Sequence, residues 1–154
     1  MRTLIEVLAG LAILGNAVIY GTDVFGAIVL RPAIAAVDDR TLTQLLGHIH
    51  RIADRRFPAI GAAGLIAAVA TAALAGTSAA AAAAALATLA LAIFLAIYNR
   101  VSKPVNTALT AAALADRVPG DVRQLQARWD SVINARVALQ TLALAALCVA
   151  LAAA

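Results

Sequence analysis

Cysteine occurs once in this 154-residue chain, at Cys148, so no disulfide framework holds it. Charge is scarce as well. Asp, Glu, Lys and Arg make up 13% of the residues and aromatics 4%, where soluble domains carry about 25% charge. The chain therefore has too little polar surface to cover itself in water, and its length leaves no room for a large soluble catalytic domain. Four prolines and nine glycines are too few for a linker or low-complexity protein. No hydrolase triad, phosphate-binding glycine loop or dinucleotide fingerprint is present. What is abundant is apolar: 64% of the residues, among them 43 alanines, which favour helix and close helix packing. The formal net charge of +4 does not point to nucleic acid, because aromatics are few and apolar runs dominate.

Four runs are long enough to cross a hydrocarbon core of about 30 Å: about Thr3–Leu30, Phe57–Ala75, Ser78–Tyr98 and Val132–Leu151. The expected fold is an all-α, integral membrane four-helix bundle, one membrane domain over residues 1–154. Arg2 ahead of an apolar run also has the outline of a signal peptide. That run continues past the usual length of about 7–15 residues, and Glu6 interrupts its start, so a retained span is expected. Gly76-Thr77-Ser78 marks a tight turn between the second and third spans.

The two longer connections carry helical patterns of their own. Asp38-Asp39 open a stretch with Leu42, Leu45, Leu46, Ile49 and Ile52 opposite Arg40, Gln44, His48, Arg51 and Arg55. That is an amphipathic helix, lying at the interface or extending the second span. A shorter helix is expected at Val105–Leu114, after a turn at Pro104. A Val118-Pro119-Gly120 break follows, and Asp121 is the expected cap of the last helix. The connections hold Arg31, Arg40, Arg51, Arg55, Arg56, Arg100, Lys103, Arg117, Arg123 and Arg128, whereas the opposite side has only Arg2. The positive-inside bias puts both connections, with their helical extensions, in the cytoplasm and both termini outside. The expected location is a bacterial-type inner (plasma) membrane.

Ionisable groups inside hydrocarbon are costly and mark functional sites. Asn16, Tyr20 and Asp23 share one face of the first span, at i, i+4 and i+7. Trp129, Arg136 and Gln140 share a face of the fourth, with Asn134 near its edge. Asp23 and Arg136 each lie about six residues, roughly 9 Å, from the middle of their spans, so they are expected to pair. Such a pair serves either helix registry or a functional pocket; the third outcome is an Arg136 that snorkels away. His48 and His50 point about 200° apart on a helix and do not converge on one metal. His50 can reach Asp54 instead. No metal motif is visible, and a metal would need mixed ligands such as one His, Asp23 and an Asn. Asn99, Arg100, Lys103, Pro104 and Asn106 cluster where the third span ends. Arg100 and Lys103 suit anionic lipid head groups, while Asn99 and Asn106 divide between that anchor and a pocket.

Gly21-x-x-x-Phe25-Gly26 before Arg31-Pro32, then a histidine-bearing amphipathic helix ending Arg56-Phe57-Pro58, resembles the small four-helix membrane family that includes anthrone oxygenases. Asn99-Arg100-x-x-x-Pro104-x-Asn106 and Trp129-x-x-x-x-Asn134-x-Arg136 look like that family's remaining signatures. The resemblance covers nearly the whole chain. It implies a four-helix bundle and, for the characterised branch, oxidation of an anthrone to an anthraquinone by O₂. Such chemistry needs a base and a holder for the oxyanion. On this reading Asp23 or His48 is the base and Arg136, with Asn106 or Asn134, holds the oxyanion. Trp129 and Tyr20 wall a flat lipophilic substrate, with Asn16 and Asn99 nearby. No cofactor motif accompanies them, which suits a substrate that reduces O₂ itself and leaves a metal or haem open.

Two other functions compete. One is a small-molecule transporter or binding protein, working as a homo-oligomer through small-residue faces such as Gly61-x-x-Gly64 and Ala79–Ala85. The other is a structural membrane subunit whose polar residues only lock the fold.

Overall fold

The structure, a computed structural model, describes residues 1–76 and 79–154, and every described element is helical. Four rods run Arg2–Ala35, Asp39–Leu74, Ala79–Leu114 and Val122–Ala152, each long and apolar enough to cross a membrane. The first is helix α1 (Arg2–Phe25), a π-helical turn (Gly26–Leu30) and α2 (Arg31–Ala35). The second is α3 (Asp39–Leu74). The third is α4 (Ala79–Ile97), a second π-helical turn (Tyr98–Ser102) and α5 (Lys103–Leu114), and the fourth is α6 (Val122–Ala152). Helices α1, α3, α4 and α6 each pack on the next, and α6 closes the ring on α1. This is a four-helix membrane bundle.

A rod of 36 residues is about 54 Å long at helical rise, well beyond a core of about 30 Å. One end of α3 therefore projects, and α2, α5 and the start of α6 surround it. On the first rod the exposed residues Leu4, Val7, Leu11, Leu14, Val18, Phe25 and Ile28 recur at helical spacing. This continuous apolar stripe suits contact with lipid. Cys148 is exposed too.

The helices that hold the spans expected at 3–30 and 78–98 run on beyond them, and the turn expected at Pro104 is not formed. Helix continues through Pro32 and Pro104. Each proline follows a π-helical turn in which Arg31 N–H donates to Gly26 C=O and Lys103 N–H to Tyr98 C=O. A proline lacks an N–H and crowds the preceding turn. The wider i→i+5 turn relieves that crowding, so the chain bulges without breaking. The genuine breaks are short. Asp38 caps α3, its carboxylate accepting from Thr41 N–H at 2.9 Å. Asp121 stands at the start of α6, but its side chain makes no cap bond. The turn expected at Gly76-Thr77-Ser78 lies outside the described residues at Thr77 and Ser78; Gly76 itself has φ +68°, a value favouring glycine.

The amphipathic stretch before the second span is continuous with it, but its buried face differs from the apolar stripe in the sequence. Leu42 and Leu46 are buried, whereas Leu45, Ile49 and Ile52 are exposed. The buried line continues through Thr43, Gly47 and His50. Gly47 is the reason: a Cβ there would collide with Ala113 and with the Leu109 carbonyl. A bare backbone at that point lets α5 come in close, turning His50 inward and His48 outward.

Buried side chains form three layers along the bundle. At one end, Ala12, Ala67, Ala68, Ala87, Ala90, Leu91, Ala143, Ala146 and Leu147 form a small-residue core. At the other, Ile34, Leu42, Leu46, Val105, Leu109 and Val122 form a bulky aliphatic one. Between them lies a polar layer.

Candidate functional site

Asp23 and Arg136 meet in the polar layer. Arg136 Nε donates to Asp23 Oδ2 at 3.0 Å and Nη2 to Oδ1 at 2.7 Å, a two-pronged bond between residues 4% and 6% exposed. Parallel bonds of this kind suit the planar guanidinium. Arg136 Nη1 donates to Ser102 Oγ at 2.6 Å, and Gln140 Nε2 donates to Asp23 Oδ2 at 2.7 Å. Three of the five guanidinium N–H groups are thereby used. Asn16 Nδ2, about two turns from Asp23 along α1, donates to the Gln140 carbonyl at 3.3 Å.

Three aromatic rings enclose the cation. The centroids of Phe94, Trp129 and Tyr98 lie 5.2, 5.3 and 5.9 Å from Arg136 Cζ, within cation–π reach. Tyr98 also links to a second cluster. Its hydroxyl donates to Asp54 Oδ1 at 2.8 Å, and Asn106 Nδ2 donates to both Asp54 oxygens at 3.0 and 3.2 Å.

The π-helical turns matter to this arrangement. One carries Tyr98 and Ser102, both in contact with Arg136. The other carries Gly26, where an added Cβ would lie 3.4 Å from the Trp129 ring. Trp129 is shared: on one side it meets Arg136, and on the other its ring centroid is 6.0 Å from that of His50. Beside His50 and Trp129 is a crevice of about 10 Å³, room for about one water molecule.

Of the residues named from sequence, Asp23, Arg136, Asn16 and Trp129 come together here. Asn106 joins the neighbouring Asp54 cluster. Tyr20 is half-buried, and no hydrogen bond of its hydroxyl is present among the described residues. His48, Asn99 and Asn134 are not in the layer. His48 is exposed in a shallow surface depression beside Arg40, Thr41, Gln44 and Leu45. Asn99 is exposed and its amide donates to the Leu95 carbonyl at 2.9 Å, one turn back on its own helix. Asn134 is exposed because it sits two residues, about 200°, from Arg136. His50 does not bond Asp54, whose oxygens go to Tyr98 and Asn106.

Residues absent from the sequence-based set are His50, Asp54, Phe94, Tyr98, Ser102 and Gln126. A signal for two of them existed: Thr43, Gly47, His50 and Asp54 stand at i, i+4, i+7 and i+11, a polar and small-residue line like that of Asn16 and Asp23. Among the described residues no three His, Cys, Asp or Glu side chains are grouped to hold a metal ion. Comparisons with protein-family models, with curated proteins and with solved structures find no match.

Proposed function

We propose that this chain is a membrane enzyme that oxidises a lipophilic aromatic, anthrone- or quinone-like substrate with O₂ where the polar layer between α1 and α6 adjoins Trp129 and His50 of α3. The observation supporting this is the buried Asp23–Arg136 pair among three aromatic rings. Ionised groups at membrane depth are costly to keep, and a guanidinium with two N–H groups to spare is a ready holder for a developing oxyanion. The resemblance to anthrone oxygenases supplies the reaction class. The ring methylene gives up a proton and the carbanion reduces O₂. One oxygen atom becomes the new carbonyl and the other leaves as water, so no external reductant is required.

The base in this reading is His50, in place of His48 or Asp23. Asp23 spends its oxygens on Arg136 and Gln140, and His48 faces outward. His50 is buried with Nε2 unpartnered. The positive-inside bias supports the orientation with both termini outside, which a reporter fused to either end would test by its accessibility from outside cells.

A structural subunit is the second reading, favoured by the completeness of the pairing, since a carboxylate so engaged fixes the register of α1 and α6. Aerobic addition of an anthrone to protein in nanodiscs decides between them. The enzyme reading expects O₂ uptake above the spontaneous rate, lost in His50→Gln at unchanged expression. Uptake at only the spontaneous rate sinks it.

A further inference from the structure

A base buried in a helix bundle has to shed the proton it takes, and few groups near His50 are free to receive one. The charged groups around its ring are Asp54 on its own helix, Arg136 and Asp130 on α6, and Arg31 on α2. Asp54 gives its oxygens to Tyr98 and Asn106. Asp23, next along the polar layer, gives both of its own to Arg136 and Gln140. Asp130 differs. Its Oδ1 accepts from Gln126 Nε2 at 2.9 Å, and no hydrogen bond to its Oδ2 is present among the described residues. The residue is only half-buried, so it keeps contact with solvent.

His50 and Asp130 line the same gap, together with Gln126 and Trp129. Three polar atoms of these residues, His50 Nε2, Gln126 Oε1 and Trp129 Nε1, are buried with no hydrogen-bond partner. His50 is 7% and Gln126 8% exposed. Buried polar atoms left unpaired are destabilising and uncommon. The gap measures about 10 Å³, room for about one water. Its polar sides fix how that water sits. The Trp129 indole N–H only donates, while Gln126 Oε1 and the Asp130 carboxylate only accept. Those partners take one lone pair and both hydrogens of the water, which leaves the second lone pair for an N–H at His50 Nε2.

We propose that this gap binds one resident water, which passes protons from His50 to Asp130 and so to solvent. Both ring nitrogens of an imidazolium carry protons, so a proton taken at Nδ1 leaves at Nε2. In that step the Nε2–H bond and one O–H bond of the water break. A new O–H bond forms on the water and another on the Asp130 carboxylate, and no electrons change hands. His50 ends as a neutral imidazole and Asp130 as an acid that ionises into solvent. Gln126 is the positioning residue, because it holds the water with Oε1 and Asp130 with Nε2. The relay rests on the oxygenase reading only for His50 as the base of that reaction. It adds the outlet such a base needs.

Trp129 is the only tryptophan in the chain, so its indole reports on the gap alone. Two measurements on protein in phosphatidylcholine nanodiscs need no substrate. The first is the nuclear Overhauser effect at the indole N–H, where a cross-peak to a long-lived water is expected and should vanish in Gln126→Leu. No cross-peak in the unaltered protein overturns the water, even if the variant fails to fold; one that persists unchanged in Gln126→Leu overturns the site. The second follows Trp129 emission, which an imidazolium 6.0 Å away quenches, after a flash-released pulse of protons. The part of the response lost in His50→Gln belongs to His50. Asp130→Asn, which keeps an oxygen for Gln126, should slow that part about a hundredfold at unchanged amplitude, and added formate should restore the rate. An unchanged rate, or a response identical in His50→Gln, overturns the relay. Both signals without O₂ uptake on an anthrone would leave the relay standing and remove the oxygenase. O₂ uptake with neither signal would do the reverse.

Discussion

The two apolar cores of the bundle are made of different residues. Alanine dominates the one around Ala12, Ala68, Ala87 and Ala143, while the one around Ile34, Leu42, Leu46 and Leu109 is Leu, Ile and Val throughout. The difference follows the solvent outside. Where helices are bathed in hydrocarbon, burying an apolar side chain gains nothing over leaving it in lipid, so helices associate by close contact of small residues. Gly15 and Gly64 show how close: a Cβ on Gly15 would sit 3.0 Å from the Gly64 Cα. Where α2, α5 and the projecting end of α3 leave the hydrocarbon, water returns and large side chains are worth burying. The polar layer lies between these regimes, and each core closes one side of it.

The largest effect should come from the layer itself. Arg136→Leu alone leaves the Asp23 carboxylate buried and unpaired and should cost about 3–5 kcal/mol. The double variant Asp23→Leu/Arg136→Leu should regain most of that, as read by denaturant unfolding in mixed micelles. A double variant no better than the single one would show that the pair acts through its other partners, Ser102 and Gln140.

Leu109 and Leu147 test the two cores directly, because both are completely buried. Leu109→Ala should cost about 2–4 kcal/mol, the usual price of a transfer term plus a cavity. Leu147→Ala should lose only the packing part, about 1–2 kcal/mol. Equal losses would break the distinction between the cores.

Gly15→Ala should cost about 1–3 kcal/mol by forcing α1 from α3. Gly10→Ala, on the same helix with nothing within 4 Å of its would-be Cβ, should stabilise by about 0.5–1 kcal/mol. Thermal unfolding of the two variants side by side would sharpen the claim that contact, not composition, holds the lipid-facing core.

The smallest effect concerns the water-facing end. Backbone and side-chain hydrogen bonds from Thr41 hold the Asp38 carboxylate below its ordinary pKa of 3.8. A depressed acid stabilises fully above the unfolded value and loses that contribution as pH falls through the folded one. The thermal midpoint should therefore drop below about pH 4, and Asp38→Asn should flatten part of that acid limb. An unchanged acid limb would mean the cap is too frayed to matter.

Much of this was legible in the residue order, and the exceptions have physical reasons. Asp23 and Arg136 were readable as partners because each breaks an apolar run at the same distance from the middle of its span. His50 was not, because the strongest apolar stripe of its helix, through Leu45, Ile49 and Ile52, turned out to be the exposed one. Periodicity reports which residues share a face; it does not report which face meets the bundle. Pro104 misled for a different reason, since a proline predicts a break only where the turn before it stays α-helical.

Hydropathy, charge placement and helical spacing belong to the chain alone, because each is a local property set against a solvent. They determined four stretches long and apolar enough to span a bilayer, two ionisable residues at the same distance from the middle of their spans and a strong asymmetry of basic residues. The tertiary structure decided what depends on approach between helices. It turned His50 inward at Gly47 and brought Tyr98 and Ser102 onto Arg136 through a π-helical turn. Those outcomes rest on a missing side chain and a wider turn, and steric fit between segments far apart in the chain sets both.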